Sequence, residues 1–264
     1  MQAKLFMEII KKIDSNFSDE EMFLIELLFR DVPELFDLKQ IDEQKLIKIA
    51  IKNGLSQLLH KNAFSGRLSE EMRRDLKKEY LYNLGKNSAF QMIAEEISKK
   101  LIENKIQVIY LKGICLINNV YQDIALRPMS DIDILVHQHD IHKAWKLFNS
   151  KDFDIKRNDE KTAHHLPIFS YKGINVELHR FLFPTDVKYQ IPIDEIWRQA
   201  TETINVNTLI LNPIHLIIYQ LLHIYYTYRQ GGLRLGWFYD IKEIIKHFDK
   251  DISLENVAIS AQRI

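Results

Sequence analysis

The sequence of 264 residues contains a single cysteine, Cys115, and is also short of glycine (8) and proline (6). One cysteine cannot form an internal disulfide and leaves no CxxC pair for a zinc site. This scarcity suits a reducing compartment, so we expect a cytoplasmic protein. Because 46% of the residues are apolar, the composition favours a packed core over extensive disorder.

The chain has no excess of either charge, with 36 basic and 36 acidic residues. This balance argues against a broad attraction to DNA, RNA or anionic membranes, although it leaves room for a local basic patch. The most apolar window, 209–226, is interrupted by polar residues and a proline, which predicts a buried helix and no membrane span. The N-terminus leads into a charged amphipathic stretch, which is not typical of a signal peptide.

Hydrophobic periodicity divides the chain into three parts, and it predicts an α+β fold with a small mixed β-sheet core between helical flanks. Residues 1–104 form the N-terminal helical region, with helix starts expected at Ser18 and Ser69. Residues 105–190 form the α/β core, and residues 191–264 form a C-terminal helical region packing on it. The strands are expected near 107–111, 131–136, 153–157, 166–171, 174–179 and 203–211. The sequence ends within a segment that is expected to be helical, so a truncated C-terminus is one interpretation.

Asp131 and Asp133 lie two residues apart on the clearest strand, so their side chains leave the same face. Charged groups at the end of an apolar strand are costly to bury without a partner. Two close carboxylates also raise each other's proton affinity unless a cation lies between them, and Mg²⁺ suits that position. The spacing alone favours a solvated pair at the start of a strand, and the sequence context changes this balance.

Three segments add context to this pair. They are Leu111-Lys112-Gly113, Leu126-Arg127-Pro128-Met129-Ser130-Asp131-Ile132-Asp133-Ile134-Leu135-Val136, and Val176-Glu177-Leu178-His179. Together they resemble the uncharacterised nucleotidyltransferase family of the DNA polymerase β-like superfamily. In that family a strand ends in a glycine, a short helix follows, the next strand bears paired acids, and a neighbouring strand carries a third acid. The resemblance extends over roughly residues 81 to 248.

The resemblance implies that Asp131 and Asp133 bind the metal ions and that Glu177 is the third catalytic and metal-binding acid. The metal would be Mg²⁺, with Mn²⁺ as the alternative. Two such cations about 4 Å apart can hold the attacking and leaving oxygens of a displacement at phosphorus. The implied reaction moves a nucleoside monophosphate from a nucleoside triphosphate such as ATP to an acceptor and releases pyrophosphate.

Lys112 and Gly113 are candidates for binding the nucleotide phosphates. A glycine at this point lets the backbone approach a phosphate, with the amides of the following helix directed at it. An ordinary turn between strand and helix explains the glycine equally well. Ile114 departs from the superfamily pattern, in which a second glycine or a serine often follows, so either the phosphate contact would fall to Lys112 or the nucleotide would bind differently.

Arg127, Ser130 and His179 complete the predicted nucleotide-binding set. Arg127 could pair with phosphate oxygens or form a salt bridge with one of the acids. Ser130 could cap or orient a carboxylate, or be structural. His179 shares the strand face of Glu177, so it could contact phosphate, orient that acid, or be a structural histidine.

Weaker signals lie outside this set. His164 and His165 invite a zinc site, but adjacent residues on a strand face opposite ways and no further ligand stands at a fixed spacing. Arg234 and Asp240 could pair with each other, or Arg234 could meet the triphosphate.

The acceptor is open among a small molecule, a peptide or protein side chain, and an RNA end, and a long nucleic acid is disfavoured by the neutral net charge. A rival hypothesis is a non-catalytic nucleotide-binding or regulatory module that keeps the fold. It would be expected to have lost an acid. A helical interaction protein with incidental acids is a third hypothesis, which the placement of the acids on two separate strands disfavours. The oligomeric state is not indicated.

Overall fold

The protein is described by a computed structural model over residues 17–29, 41–62, 67–149, 164–203 and 208–264. The predicted strand at 153–157 lies outside these residues. Helices and a six-stranded mixed sheet share one hydrophobic core, so the predicted α+β class with a helix-flanked sheet is confirmed.

Within the described residues, four helices precede the sheet. They are α1 (Asp19–Phe29), α2 (Glu43–Lys52), α3 (Ser56–Lys61) and α4 (Glu70–Glu103). Ser18 and Glu21 form the predicted capping box, since the backbone amide of each donates to the side chain of the other at 2.9 and 3.3 Å. Ser69 caps α4 as expected, accepting from the amide of Met72 at 3.3 Å.

The six strands are short, and two central ones run parallel. They are β1 (Ile109–Tyr110), β2 (Asp131–Leu135), β3 (Phe169–Tyr171), β4 (Ile174–His179), β5 (Thr201–Glu202) and β6 (Leu209–Ile210), in the spatial order β3-β4-β2-β1-β6-β5. Strand β2 pairs with β4 in parallel and with β1 antiparallel. The predicted hairpin joins β3 to β4, and its two turn residues, Lys172 and Gly173, both have positive φ, as a type I′ turn requires. Strands β5 and β6 follow residue 190, so the sheet also takes residues from the region predicted to be helical.

Six further helices surround the sheet. They are α5 (Lys112–Asn119), α6 (Ile141–Phe148), α7 (Ile193–Gln199), α8 (Pro213–Arg229), α9 (Gly236–His247) and α10 (Leu254–Ala261). Helix α8 starts at Pro213, as predicted, and Asn212 caps it by accepting from the amide of His215 at 2.9 Å. Among the helices described, none is both long enough and apolar enough to cross a membrane.

The long helix α4 positions the loop that leads into β2. Two buried asparagines on this helix, Asn83 and Asn87, donate to backbone carbonyls of that loop. Asn87 reaches the carbonyl of Arg127 at 2.8 Å. Because buried carbonyls need partners, these amides tie the start of β2 to the helical flank.

Candidate functional site

The register of β2 and β4 places the predicted acids together. Asp133 lies directly beside Glu177, Asp131 beside Asn175, and Leu135 beside His179. Side chains at alternate strand positions share a face, and directly paired residues of neighbouring strands do so too. Asp131, Asp133, Glu177 and His179 therefore lie on one face of the sheet, and Glu177 is on the same side as both aspartates.

Asp133 is the most enclosed of the acids, with 1% of its surface exposed. Its Oδ1 atom accepts from Lys112 Nζ at 2.7 Å and lies 2.9 Å from His179 Nε2. Burial alone would raise the pKa of Asp133, but the charge of Lys112 and the hydrogen bond from His179 outweigh it, so the pKa is lowered. Asp133 is thus held as a carboxylate inside the protein.

His179 lies between the two deepest acids. It is fully buried, and its Nε2 is 3.3 Å from Glu177 Oε2 as well as 2.9 Å from Asp133 Oδ1. Burial would lower the pKa of His179, but its bonds to Asp133 and Glu177 reverse the direction and raise it. Within the described residues, its Nδ1 has no hydrogen-bond partner. His179 therefore clamps two carboxylates, and its complete burial separates it from solvent.

Asp131 is half-buried and its charge is less well compensated. Burial raises the pKa of Asp131, the like charges of Asp133 and Glu177 add to this, and Lys112 and a hydrogen bond from Ser130 oppose it only in part. Like charges at this separation favour an additional cation between them. Ser130 is exposed and acts against the rise in the pKa of Asp131.

Lys112 reaches this cluster from the start of α5 in an uncommon backbone conformation. Its φ of 44° lies in the left-handed region, which costs a non-glycine residue about 1 kcal/mol. Its Nζ is 2.7 Å from Asp133 Oδ1 and 3.7 Å from Glu177 Oε2. Strain of this kind is found where a side chain must be held in a particular place. Lys112 therefore places its positively charged ammonium group among the acids.

Gly113 is required by contacts within the protein. A Cβ at this position would lie 2.7 Å from Arg127 Nη1 and 3.0 Å from Met129 Cβ. The sequence allowed either close approach of a phosphate or an ordinary turn at this glycine, and the structure adds a third reason, the close packing of the loop before β2.

Arg127 pairs with a residue distant in the sequence. Its side chain is 11% exposed, and Nη2 lies 3.2 Å from Oδ2 of Asp240. Tyr121 donates to the other oxygen of Asp240 at 2.6 Å. The salt bridge considered between Arg127 and the paired aspartates is therefore formed with Asp240, and Asp240 pairs with Arg127 instead of Arg234.

Three further side chains lie near the acids, and none of them belongs to the predicted set of site residues. The ring of His164 lies 5.3 Å from that of His179, and burial together with the charge of His179 lowers the pKa of His164 to about 3. Tyr219 and His223 descend from α8, where their i, i+4 spacing puts them on one side of the helix. The Tyr219 hydroxyl is buried without a hydrogen-bond partner among the described residues. The i, i+4 spacing was the only sequence signal for the last pair.

The donor set fits a divalent cation. One ligand atom each from Asp133, Glu177 and His179 lie within 4.8 Å of one another. Carboxylate oxygens are the ligands that Mg²⁺ and Mn²⁺ prefer, and the poorly compensated Asp131 lies on the same face. The residues present thus agree in charge and donor type with a metal site.

A family model described as an uncharacterised nucleotidyltransferase matches residues 39–264, well over half of the chain. No curated protein and no solved structure matches the chain.

Proposed function

The chain belongs to the uncharacterised nucleotidyltransferase family, and from this membership we propose a metal-dependent transfer of a nucleoside monophosphate from a nucleoside triphosphate such as ATP. The acceptor's hydroxyl oxygen forms a bond to the α-phosphorus, and the bond from that phosphorus to the oxygen bridging to the β-phosphate breaks. Pyrophosphate leaves, and the hydroxyl proton passes to a carboxylate of the site or to water.

One observation carries this proposal, the convergence of Asp131, Asp133 and Glu177 on a single face of two paired strands. Among the described residues, the basic side chains that pair with these three carboxylates are Lys112 and His179. Mg²⁺ or Mn²⁺ bound at this face would neutralise the triphosphate and polarise the phosphorus under attack.

The surroundings of each acid indicate its role in the proposed reaction. Asp131 and Asp133 would hold the cation, and Glu177 would complete the ligand set and receive the hydroxyl proton. Asp133 is kept ionised by Lys112 and His179, which makes it the fixed ligand. Asp131 is the more exposed of the two and faces the incoming nucleotide.

The predicted nucleotide-binding residues differ in their burial and in what they contact. Lys112 is the basic side chain nearest the acids. When the nucleotide binds, its ammonium group contacts the triphosphate. Ser130 orients Asp131. His179 is a positioning residue, because it is fully buried and contacts the carboxylates. Gly113 and Arg127 shape the loop behind the phosphates through their mutual packing.

The direct test offers each of the four NTPs, labelled at the α-phosphate, together with cell extract and Mg²⁺ or Mn²⁺. We expect labelled product with the parent protein and none with the variant Asp131→Asn, Asp133→Asn. Pyrophosphate release measured in parallel should follow the label.

The conservative double variant retains the size of both side chains, so folding is checked by circular dichroism and thermal unfolding. Equal labelling by parent and variant would end the catalytic assignment. Metal-dependent nucleotide binding without label transfer or pyrophosphate release would favour a regulatory nucleotide-binding module instead.

A further inference from the structure

A second concave site lies close to the acids. It is a cleft of about 270 Å³ between the end of α2, the loop before β2 and the start of α9. Cavities that hold small molecules measure about 300–1,000 Å³. This cleft is therefore of a size for a small molecule or part of one.

The charge of the cleft departs from the neutrality of the whole chain. Three basic side chains line it, Lys52, Arg127 and Arg234, against a single acid, Asp240. Asp240 is already engaged by Arg127 and by a tyrosine hydroxyl. Lys52 and Arg234 are exposed, so they leave a surplus of positive charge on the cleft lining. The buried Arg127 Nε also has no hydrogen-bond partner among the described residues.

The walls of the cleft are held in place by backbone contacts. The amides of Gly236 and Leu235 donate to Asn53, to its carbonyl at 2.9 Å and to its side-chain oxygen at 3.2 Å. A Cβ on Gly236 would lie 2.8 Å from that carbonyl. Gly54 has a φ of 70° and packs against Pro128. These contacts fix three separate segments around the cleft, as a binding site for a defined ligand needs.

The cleft is within a small molecule's length of the acids. Pro128 lines it and precedes Asp131 by three residues, so their Cα atoms are at most about 11 Å apart. His223 provides a second link. Burial, together with the charges of Lys112 at the acids and of Arg127 at the cleft, lowers the pKa of His223 to about 4. The ring of His223 also lies 4.9 Å from that of Trp237, which lines the cleft.

We propose that this cleft binds the acceptor, and that the acceptor is a small organic anion with a free hydroxyl group, such as a phosphorylated or carboxylated metabolite. Lys52 and Arg234 bind its anionic end, and its hydroxyl extends toward Asp131. The assignment rests on the proposed function. Among the acceptor classes left open by the sequence, it selects the small molecule over a protein side chain or an RNA end.

The test reverses the two exposed charges in the variant Lys52→Glu, Arg234→Glu. The matched control, Arg73→Glu, Lys99→Glu, reverses two exposed basic residues of α4 away from the cleft. Binding of inorganic phosphate is measured by calorimetry in EDTA, where no divalent cation is present. We expect the cleft variant to bind phosphate at least about tenfold more weakly than the parent and the control.

Label transfer is then measured with an extract filtered to remove macromolecules. The parent and the control should label a small anionic product, and the cleft variant should lose about tenfold or more while keeping its affinity for ATP with Mg²⁺. Parent-like phosphate binding and transfer by the cleft variant would overturn the proposal. In a parallel assay with unfiltered extract, label found only on protein or RNA would overturn it as well.

The two proposals fail in different ways. Retained transfer by Asp131→Asn, Asp133→Asn would refute the proposed function, and the acceptor assignment would fall with it. The calorimetric result would still decide whether the cleft binds anions, since it uses neither metal nor turnover.

Discussion

The carboxylates of β2 and β4 and the Arg127–Asp240 pair are both buried, but their charges are neutralised to different degrees. Asp240 meets one guanidinium and one tyrosine hydroxyl, and burial, opposed by Arg127, raises its pKa. Asp131 lies beside other carboxylates, and their like charges add to burial in raising its pKa. A matched pair holds segments together, whereas an excess of charge of one sign indicates a site that awaits a ligand.

The largest expected effect comes from removing one charge from the carboxylates of β2 and β4. Asp131→Asn should reduce label transfer by at least about 10²–10³-fold, because it removes a metal ligand and the charge that holds it. Stability should be retained or rise by up to roughly 1 kcal/mol, since removing the charge relieves its repulsion by Asp133 and Glu177. Initial rates of transfer and urea denaturation measure the two effects. Unchanged transfer, or a large loss of stability, would place Asp131 with the structural charges.

The matched pair should respond in the opposite way. Asp240→Asn leaves the guanidinium of Arg127 buried without its counter-charge, which typically costs about 3–5 kcal/mol. The free energy of unfolding in urea should fall by this order. Asp249→Asn, an exposed acid just beyond the same helix, should change it by less than about 0.5 kcal/mol. Equal effects of the two substitutions would show that the pair does not stabilise the fold.

Adding a metal should have a smaller effect, and it should distinguish the carboxylates of β2 and β4 from the Arg127–Asp240 pair. A cation that binds only the folded protein stabilises it by about 2.7 kcal/mol at a hundred times its dissociation constant. Mn²⁺ or Mg²⁺ should therefore raise the thermal midpoint of the parent and of Asp240→Asn, but not that of Asp131→Asn, Asp133→Asn. The same rise in all three proteins would indicate that the metal binds elsewhere.

Local patterns were enough to predict much of the fold. The capping box at Ser18 and Glu21 and the hairpin at Lys172 and Gly173 each depend on residues close in sequence, and both are present. The α+β class could be predicted from hydrophobic periodicity, which also depends on residues close in sequence. Part of the strand expected near 203–211 is present as β6, whereas β5, with two residues, is too short for alternation to be read.

The site could be predicted only where its residues lie on neighbouring strand positions. Asp131 and Asp133 share a face by their spacing, and the resemblance supplied Glu177. The link between Tyr121 and Asp240 spans 119 positions and arises from tertiary packing, which no local spacing encodes. Gly113 likewise faces Arg127 and Met129 only because the loop folds back on α5.

The smallest expected effect concerns a third charged pair, at the N-terminal helices. Glu20 is buried on α1, and its Oε2 lies 2.6 Å from Lys45 Nζ, whose side chain is 51% exposed. Burial would raise the pKa of Glu20, but the bonds from Lys45 and from backbone amides lower it from 4.5 to about 2. A lowered carboxyl pKa contributes stability that is present above pH 4.5 and is lost as the pH falls toward 2. Because one partner is largely in solvent, we expect only about 1 kcal/mol.

Urea denaturation between pH 6 and pH 2 measures this contribution as a difference between proteins, with both pH limits set about the titration range by linkage. The parent should lose about 1 kcal/mol more than Glu20→Gln over this range. Glu71→Gln, an exposed acid in the first turn of α4, should lose as much as the parent. Identical acid dependence in all three proteins would show that the Glu20–Lys45 contact adds nothing to stability. The expected difference would instead extend the matched, structural class of buried charge to α1, which precedes the residues matched by the family, and would leave the acid face of β2 and β4 as the place where charge is held in excess.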